Sequence, residues 1–301
     1  MKTQNFGIEI ELTGITRAAA AQLIADYFGT RCEYVGGNYQ TYEAYDNKGR
    51  RWKCMYDSSI RAERKAGSRR TSAGTDYKCE VVSPILSYED INDLQEIVRQ
   101  LRRNGAIAND SCGIHIHVDA SRHNAKTLRN LINITFQKED LLYKALAINP
   151  NRIGYCKKVN GELLEKLNKK KPTTMAQLSD IWYGENTSQY ARNQHYNNTR
   201  YHGVNLHATF TKGTVEFRLF NSTTHAGEIK AYIQFCLAVS QQALNQTSAR
   251  ARRTETDNEK YTFRCWMLRL GLIGDEFKTC RLHFLKHLSG NSAWRNANHT
   301  A

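Results

Sequence analysis

Three short segments, far apart in the chain, alternate in the same unusual way. Side chains on a strand point by turns to opposite faces. In Ile8-Glu9-Ile10-Glu11-Leu12, Ile8, Ile10 and Leu12 share one face, and Glu9 and Glu11 the other. In Ile114-His115-Ile116-His117-Val118-Asp119, the apolar face is Ile114, Ile116 and Val118, and His115, His117 and Asp119 look the other way. Val215-Glu216-Phe217-Arg218-Leu219 sets Glu216 and Arg218 against Val215, Phe217 and Leu219. Strands that merely face water carry Thr, Lys, Ser or Gln on the polar side. These three segments need a core on one side and a chemistry of carboxylate, imidazole and guanidinium on the other.

The rest of the chain supplies partners for them. Phe6–Thr13 reads as a strand, and Thr16 caps a helix over Arg17–Phe28 that Gly29 stops. Asn38–Tyr56 reads as a hairpin turning at Asp46-Asn47-Lys48-Gly49. Residues 60–75, rich in Arg, Lys, Ser and Gly, read as a mobile basic loop, and Asp76–Ser83 as a short strand. Ser87 and Asp90 form a capping box for an amphipathic helix to Arg103. After the strand Gly113–Asp119, a long helix runs from about Asn124 to Leu146. A second hairpin is expected over Tyr201–Phe220, turning at Lys212-Gly213 and pairing Phe210 with Val215, Ala208 with Phe217 and Leu206 with Leu219. From Ala226 to about Leu288 the pattern is helical, broken by Ser248–Lys260. Hairpins with helices between them predict an α+β fold with a mainly antiparallel sheet and helices packed outside. The expected organisation is a catalytic domain over 1–250, with 151–200 as a polar insertion, and a helical extension over 251–301.

No apolar run approaches the length needed to cross a bilayer, and the N-terminus carries no signal peptide, so the cytoplasm is the expected compartment. The 8 cysteines form no C-x-x-C pair, so they are expected as free thiols and not as a zinc ribbon or a disulfide framework. The formal net charge of +14 favours anionic ligands without choosing among nucleotides, acidic peptides and nucleic acid.

If the three polar faces converge, carboxylates, imidazole and guanidinium share one site. Carboxylate oxygens prefer hard cations such as Mg²⁺ or Mn²⁺, and an arginine beside them suits phosphoryl oxygens. The His-rich strand is alternatively a zinc site.

Seven segments, FGIEIEL (6–12), DSS (57–59), CEVVSP (79–84), CGIHIHVD (112–119), NRIGYCK (151–157), YHGVNL (201–206) and TVEFRLF (214–220), together resemble the amidoligase family. That family lies within the glutamine synthetase and glutamate–cysteine ligase superfamily, and the resemblance spans roughly residues 5 to 245. It implies a curved, funnel-like antiparallel sheet with ATP entering one end and Mg²⁺ or Mn²⁺ midway. It implies an ATP-dependent ligase that makes an acyl phosphate and then an amide. By position, Glu11 and Glu80 resemble ligands of one metal, and Glu9, His115 and Glu216 ligands of the metal nearest the γ-phosphate. His117 resembles an ATP-phosphate contact and Arg218 the arginine that stabilises the transferring group, so Arg218, Glu216 and His117 are the catalytic candidates. Asn205 is a candidate for the nucleotide pocket. Asp57, Arg152 and Lys157 are substrate candidates. The implied substrates are amino acids or small peptides, or a peptide of a protein or cell wall.

Two other functions compete with this one: a metal-dependent hydrolase built on His115, His117 and Asp119, and a basic nucleic-acid-binding protein resting on the charge and on Arg250–Arg253. No nucleic-acid-binding motif supports the latter, so neither nucleic acid nor a membrane is an expected partner.

Overall fold

In the computed structural model, which describes residues 1–295, the first alternating segment is the strand β1 (Phe6–Leu12). Helix α1 (Arg17–Phe28) follows; Thr16 accepts from Ala19 N at its start, and Gly29 at φ 64° closes its end. That left-handed conformation suits a residue without Cβ. Then come β2 (Cys32–Gly36), β3 (Thr41–Tyr45) and β4 (Arg51–Met55). The β3–β4 turn is fixed by Asp46, whose carboxylate accepts from Lys48 N and Arg50 N, both at 2.9 Å. β2 lies outside the expected elements; its Glu33, Tyr34 and Val35 are exposed, so no buried face marks it.

The basic segment expected as a loop is a second, separate sheet of two strands, β5 (Glu63–Ala66) and β6 (Arg69–Ser72), joined at Gly67. No alternation in its sequence announces it. Its order comes from backbone pairing and from its base, where Thr13 Oγ1 and Gly14 N both donate to Glu63 O at 2.8 Å. β7 (Cys79–Val82) comes next, and the Ser87–Asp90 capping box precedes α2 (Ile91–Arg103). β8 (Gly113–Asp119) leads to α3 (Ala125–Ala145), capped by Asn124. Residues 151–200 contain the helices α4 (Gly161–Lys170), α5 (Met175–Tyr183) and α6 (Gln189–Arg192), with Leu164, Leu167 and Leu178 buried.

The second expected hairpin is absent. Only β9 (Val204–Asn205) is extended, and His207–Lys212 is a short helix, α7. Asn205 Oδ1 accepts from His207 N at 2.7 Å and turns the chain out of the strand. Gly213, at φ 73°, ends the helix; it is not the corner of a tight turn. β10 (Thr214–Asn221) therefore meets β9 through Glu216 opposite Asn205 and Phe217 opposite Val204, and not in the expected register. The helices α8 (Ala226–Asn245), α9 (Glu259–Arg269) and α10 (Lys278–Leu285) complete the described chain.

The fold is α+β. Eight strands form one open antiparallel sheet in the order β2-β3-β4-β7-β1-β8-β10-β9. Its apolar face, including Ile8, Ile10, Val81, Ile116 and Phe217, is buried in one core with Ile233 and Leu237 of α8. Each such fully buried side chain contributes roughly 1.5–3 kcal/mol. From the C-terminal helices, Phe284 stacks on Phe235 of α8 with ring centroids 4.5 Å apart. No described helix is long and apolar enough to cross a membrane. Burying one face of the sheet against helices leaves the other face to line a cleft.

Candidate active site

The register of that face brings the sequence-distant polar residues together. Glu9 lies opposite both Val82 and His115, Glu11 opposite Glu80, and Glu216 opposite both His117 and Asn205. Cross-strand neighbours of this kind have Cβ atoms about 5 Å apart. Their functional groups meet accordingly. Glu9 Oε2 is 3.0 Å from His115 Nδ1, and Glu9 Oε1 is 3.2 Å from His117 Nε2. His115 Nε2 faces Glu11 Oε1 at 3.6 Å. Asn205 Nδ2 donates to Glu216 Oε2 at 2.6 Å, while Arg218 Nη1 donates to Glu216 Oε1.

A β-bulge sets the position of Arg218. Between Phe217 and Phe220 the register of β10 against β8 slips, so the strict alternation read from the sequence breaks there and Phe220 also enters the core. The slip is held from below by the buried Arg152. Its Nη2 donates to Arg218 O at 3.2 Å, and its Nη1 donates to Phe220 O. The guanidinium fits only because residue 113 is glycine: a Cβ there would lie 2.1 Å from Arg152 Nη2. The backbone of Gly113 contributes as well, its N–H donating to Glu11 Oε2 at 2.6 Å.

The electrostatics divide the site. Burial opposes ionisation of Glu9, but His117 and His115 hold its carboxyl well below the usual range. Burial likewise opposes ionisation of Glu216, yet Arg218 and His117 bring it down to about 2. Burial and then Arg218 push His115 down to about 4, leaving a neutral imidazole with a free lone pair. His117 moves up, against burial, because Glu9 and Glu216 flank it. On the other side, burial and then Asp57 push Glu11 up to about 7. Burial followed by Glu9 and Glu11 pushes Glu80 well above the carboxylate range.

Two cavities meet at Glu9. A cleft of about 910 Å³ is lined by Glu11, Glu80, Asp57, Arg152, His115 and Arg218, among others. A smaller cavity of about 390 Å³ lies beyond Glu9, lined among others by His117, Lys212 and Thr214 and by Gly7, Val82, Pro84 and Ile85. Sequence reasoning missed several lining residues. Arg200 and Tyr201 close the far wall of the cleft, with the Arg218 guanidinium 6.0 Å from the Tyr201 ring centroid. Lys212, expected in a turn, ends α7 with its Nζ 3.8 Å from Glu9 Oε1.

Other expected residues take different places. Both ends of the Asn205 amide are used inside the protein, on Glu216 and His207 N. Asp57 lines the cleft, with Oδ1 accepting from Ser59 N and Oγ at 2.6 Å. The Lys157 side chain is exposed, and its backbone pairs with Tyr201 and Gly203. Asp119 is held by Ser121 N and Oγ, at 2.9 and 2.8 Å. His115, His117 and Asp119 do not form a ligand group among the described residues.

Two groups do converge there. The ligand atoms of Glu9, His115 and Glu216 lie within 4.8 Å of one another, and so do those of Glu11, Glu80 and His115. Both are carboxylate-rich with one neutral imidazole, the donor set of a hard divalent cation. The upward shifts of Glu11 and Glu80 arise from burial beside other carboxylates, which such a cation would relieve.

Residues 2–240 match a protein-family model described as "Putative amidoligase enzyme". No curated protein matches the chain.

Proposed function

The chain belongs to the amidoligase family, whose chemistry is amide-bond formation on small-molecule or peptide substrates, and from that premise we propose that it joins a carboxylate to an amine at the expense of ATP. The observation that carries the ATP-dependent reading is His115 standing between two carboxylate groups, with the Glu216–Arg218 ion pair beside it. Glu11 and Glu80 would hold one Mg²⁺ or Mn²⁺, and Glu9, His115 and Glu216 a second; the single lone pair of the neutral His115 ring serves one cation only. Bound there, the cations supply positive charge to the transferring phosphoryl group.

The chain's own groups have separable tasks. The apolar side chains of Val82, Pro84 and Ile85 in the smaller cavity suit a nucleotide base, and His117 and Lys212 offer donors to its phosphates. The carboxylate substrate occupies the larger cleft. Its oxygen attacks the γ-phosphorus, ADP leaves, and an acyl phosphate forms. The amine nitrogen then attacks the carbonyl carbon, inorganic phosphate leaves, and the nitrogen gives up a proton. Asp57, a carboxylate in the lining of the cleft, would take that proton. Arg218 aims a planar donor at oxygens whose charge grows in the transition state. Arg152, bonded to backbone carbonyls, positions that donor instead of binding substrate.

The test is ADP release with Mg²⁺ across a panel of amino acids and acidic peptides, with product masses measured. The expected product has the mass of acid plus amine minus water, in step with ADP. Turnover without ATP, or a thermal shift with zinc alone and none with ATP and Mg²⁺, would overturn the reading.

A further inference from the structure

The β5–β6 hairpin has no place in the chemistry above, yet it rises from the rim of the cleft. Arg61 N donates to Ser111 Oγ at 2.8 Å, and Ser58, Ser59 and Ser111 all line the cleft. The base is pinned further by Arg61 Nη2 to Asp110 Oδ1 at 2.6 Å and by Arg70 Nη1 to Ala108 O at 3.2 Å. The strands themselves bury almost nothing. Every residue from Arg64 to Ser72 is exposed, on both faces.

A two-stranded hairpin without a buried face is marginal in water. This one also works against itself. Its register sets Lys65 directly opposite Arg70, and Arg64 and Arg69 share the other face. Like charges directly opposite are destabilising. Glu63 answers Arg61 and Arg70, at 3.0 and 3.7 Å. Among the described residues Arg64, Lys65 and Arg69 enter no ion pair. Five cationic side chains stand against one carboxylate over residues 60–72. An anionic partner laid along the hairpin would reverse the repulsion.

We propose that the β5–β6 hairpin is a docking surface for an acidic stretch of polypeptide, and that the cleft acts on a carboxylate carried by such a peptide. The second clause rests on the ligase reading; the docking does not. The choice of a peptide over nucleic acid follows from the surface itself. The strands present no aromatic side chain on which a base could stack. Each strand has four residues, about 13 Å of backbone, the scale of a short extended peptide. The cleft at its foot, about 910 Å³, is near the upper end of the roughly 300–1,000 Å³ of small-molecule pockets, with room for more than one amino acid.

The experiment is fluorescence anisotropy on the full chain with a labelled peptide of about a dozen alternating Glu and Ala residues. A Gln and Ala peptide and a single-stranded oligonucleotide of equal charge serve as comparisons. The expected result is salt-sensitive binding of the acidic peptide above both. Arg64→Glu with Arg69→Glu is expected to weaken it about tenfold or more, and Arg64→Lys with Arg69→Lys to retain it. Arg64→Gln with Arg69→Gln gives the same direction if charge reversal disturbs folding, which melting temperature monitors. Unchanged peptide affinity in the folded Glu or Gln variants, or tighter binding of the oligonucleotide, would overturn the proposal. Peptide binding needs no nucleotide, whereas the ligase reading stands or falls on the ATP–Mg²⁺ thermal shift, so the two fail separately.

Discussion

Gly113→Ala is the sharpest perturbation the structure offers. The backbone at 113 is not in the left-handed region, so alanine costs nothing through φ. The whole effect comes from one methyl group. It would stand 2.1 Å from Arg152 Nη2 and 2.6 Å from Cζ, far inside contact distance, so the guanidinium must leave. Its departure strips Arg218 O and Phe220 O of a buried donor. Each buried carbonyl left without a partner costs roughly 1–3 kcal/mol, giving about 2–6 kcal/mol for the pair. Against a typical total of about 5–15 kcal/mol this is severe but survivable. Urea denaturation gives the stability change, and ADP release measures the accompanying loss of Arg218 placement. A double-mutant cycle makes the argument exact: Arg152→Ala alone loses the same two bonds, so Gly113→Ala in that background is expected to add little. Stability of Gly113→Ala within about 0.5 kcal/mol of the parent, or full additivity in the cycle, would refute the clamp.

Three further outcomes are expected. Arg218→Lys keeps the charge beside Glu216 but loses the planar fork, so the protein should melt near the parent temperature while amide formation falls on the order of a hundredfold; undiminished product formation would remove Arg218 from the mechanism. Glu11, raised to about 7, binds more proton folded than unfolded above its ordinary range, so metal-free stability falls as pH rises from about 4.5 through about 7, by up to about 3 kcal/mol; Glu11→Gln should flatten that part of the melting curve against pH, and an unaltered slope would count against the burial. All 8 cysteines are free, six of them buried, so a thiol reagent should label Cys32 and Cys265 first in the native protein and all eight after denaturation; a lower denatured count without reductant would contradict the free thiols.

What was legible in the sequence was local. Thr16 and Gly29, Ser87 with Asp90, and Asn124 each mark a helix end through bonds made within three or four residues. The alternation of β1 and β8 needs only a two-residue period, and it placed Glu9, Glu11, His115 and His117 on the cleft face. What escaped was set by distant partners. The β5–β6 hairpin owes its anchoring to Thr13, some fifty residues away in the chain. Leu206, Ala208 and Phe210 fit an i, i+2 pattern, but five residues are too few to separate a strand from one turn of helix. The bulge in β10 was hidden because its cause, Arg152, bonds to carbonyls and leaves no trace in side-chain pattern. Arg200 escaped for the opposite reason: it ends the polar, aperiodic stretch 151–200, which resembles an insertion whether or not it walls a cleft, while Tyr201 was read only as the first residue of a hairpin.

The place of β10 in the sheet has a kinetic corollary. Its pairing with β8 joins Asp119 to Thr214 across five intervening helices, α3 to α7, a contact of long sequence separation. Until that closure occurs, a growing chain displays Glu9, Glu11, Glu80 and both histidines without Arg218, and β8 keeps one edge of unpaired amides. Such an edge is a template for mispairing, and the uncompensated carboxylates disfavour compaction. Pulse-labelled hydrogen exchange during refolding is then expected to protect the β8 amides that face β1 before those that face β10. The candidate site is distributed from residue 9 to residue 218, so a nascent chain released before β10 emerges carries Glu9, Glu11 and Glu80 but lacks Glu216 and Arg218.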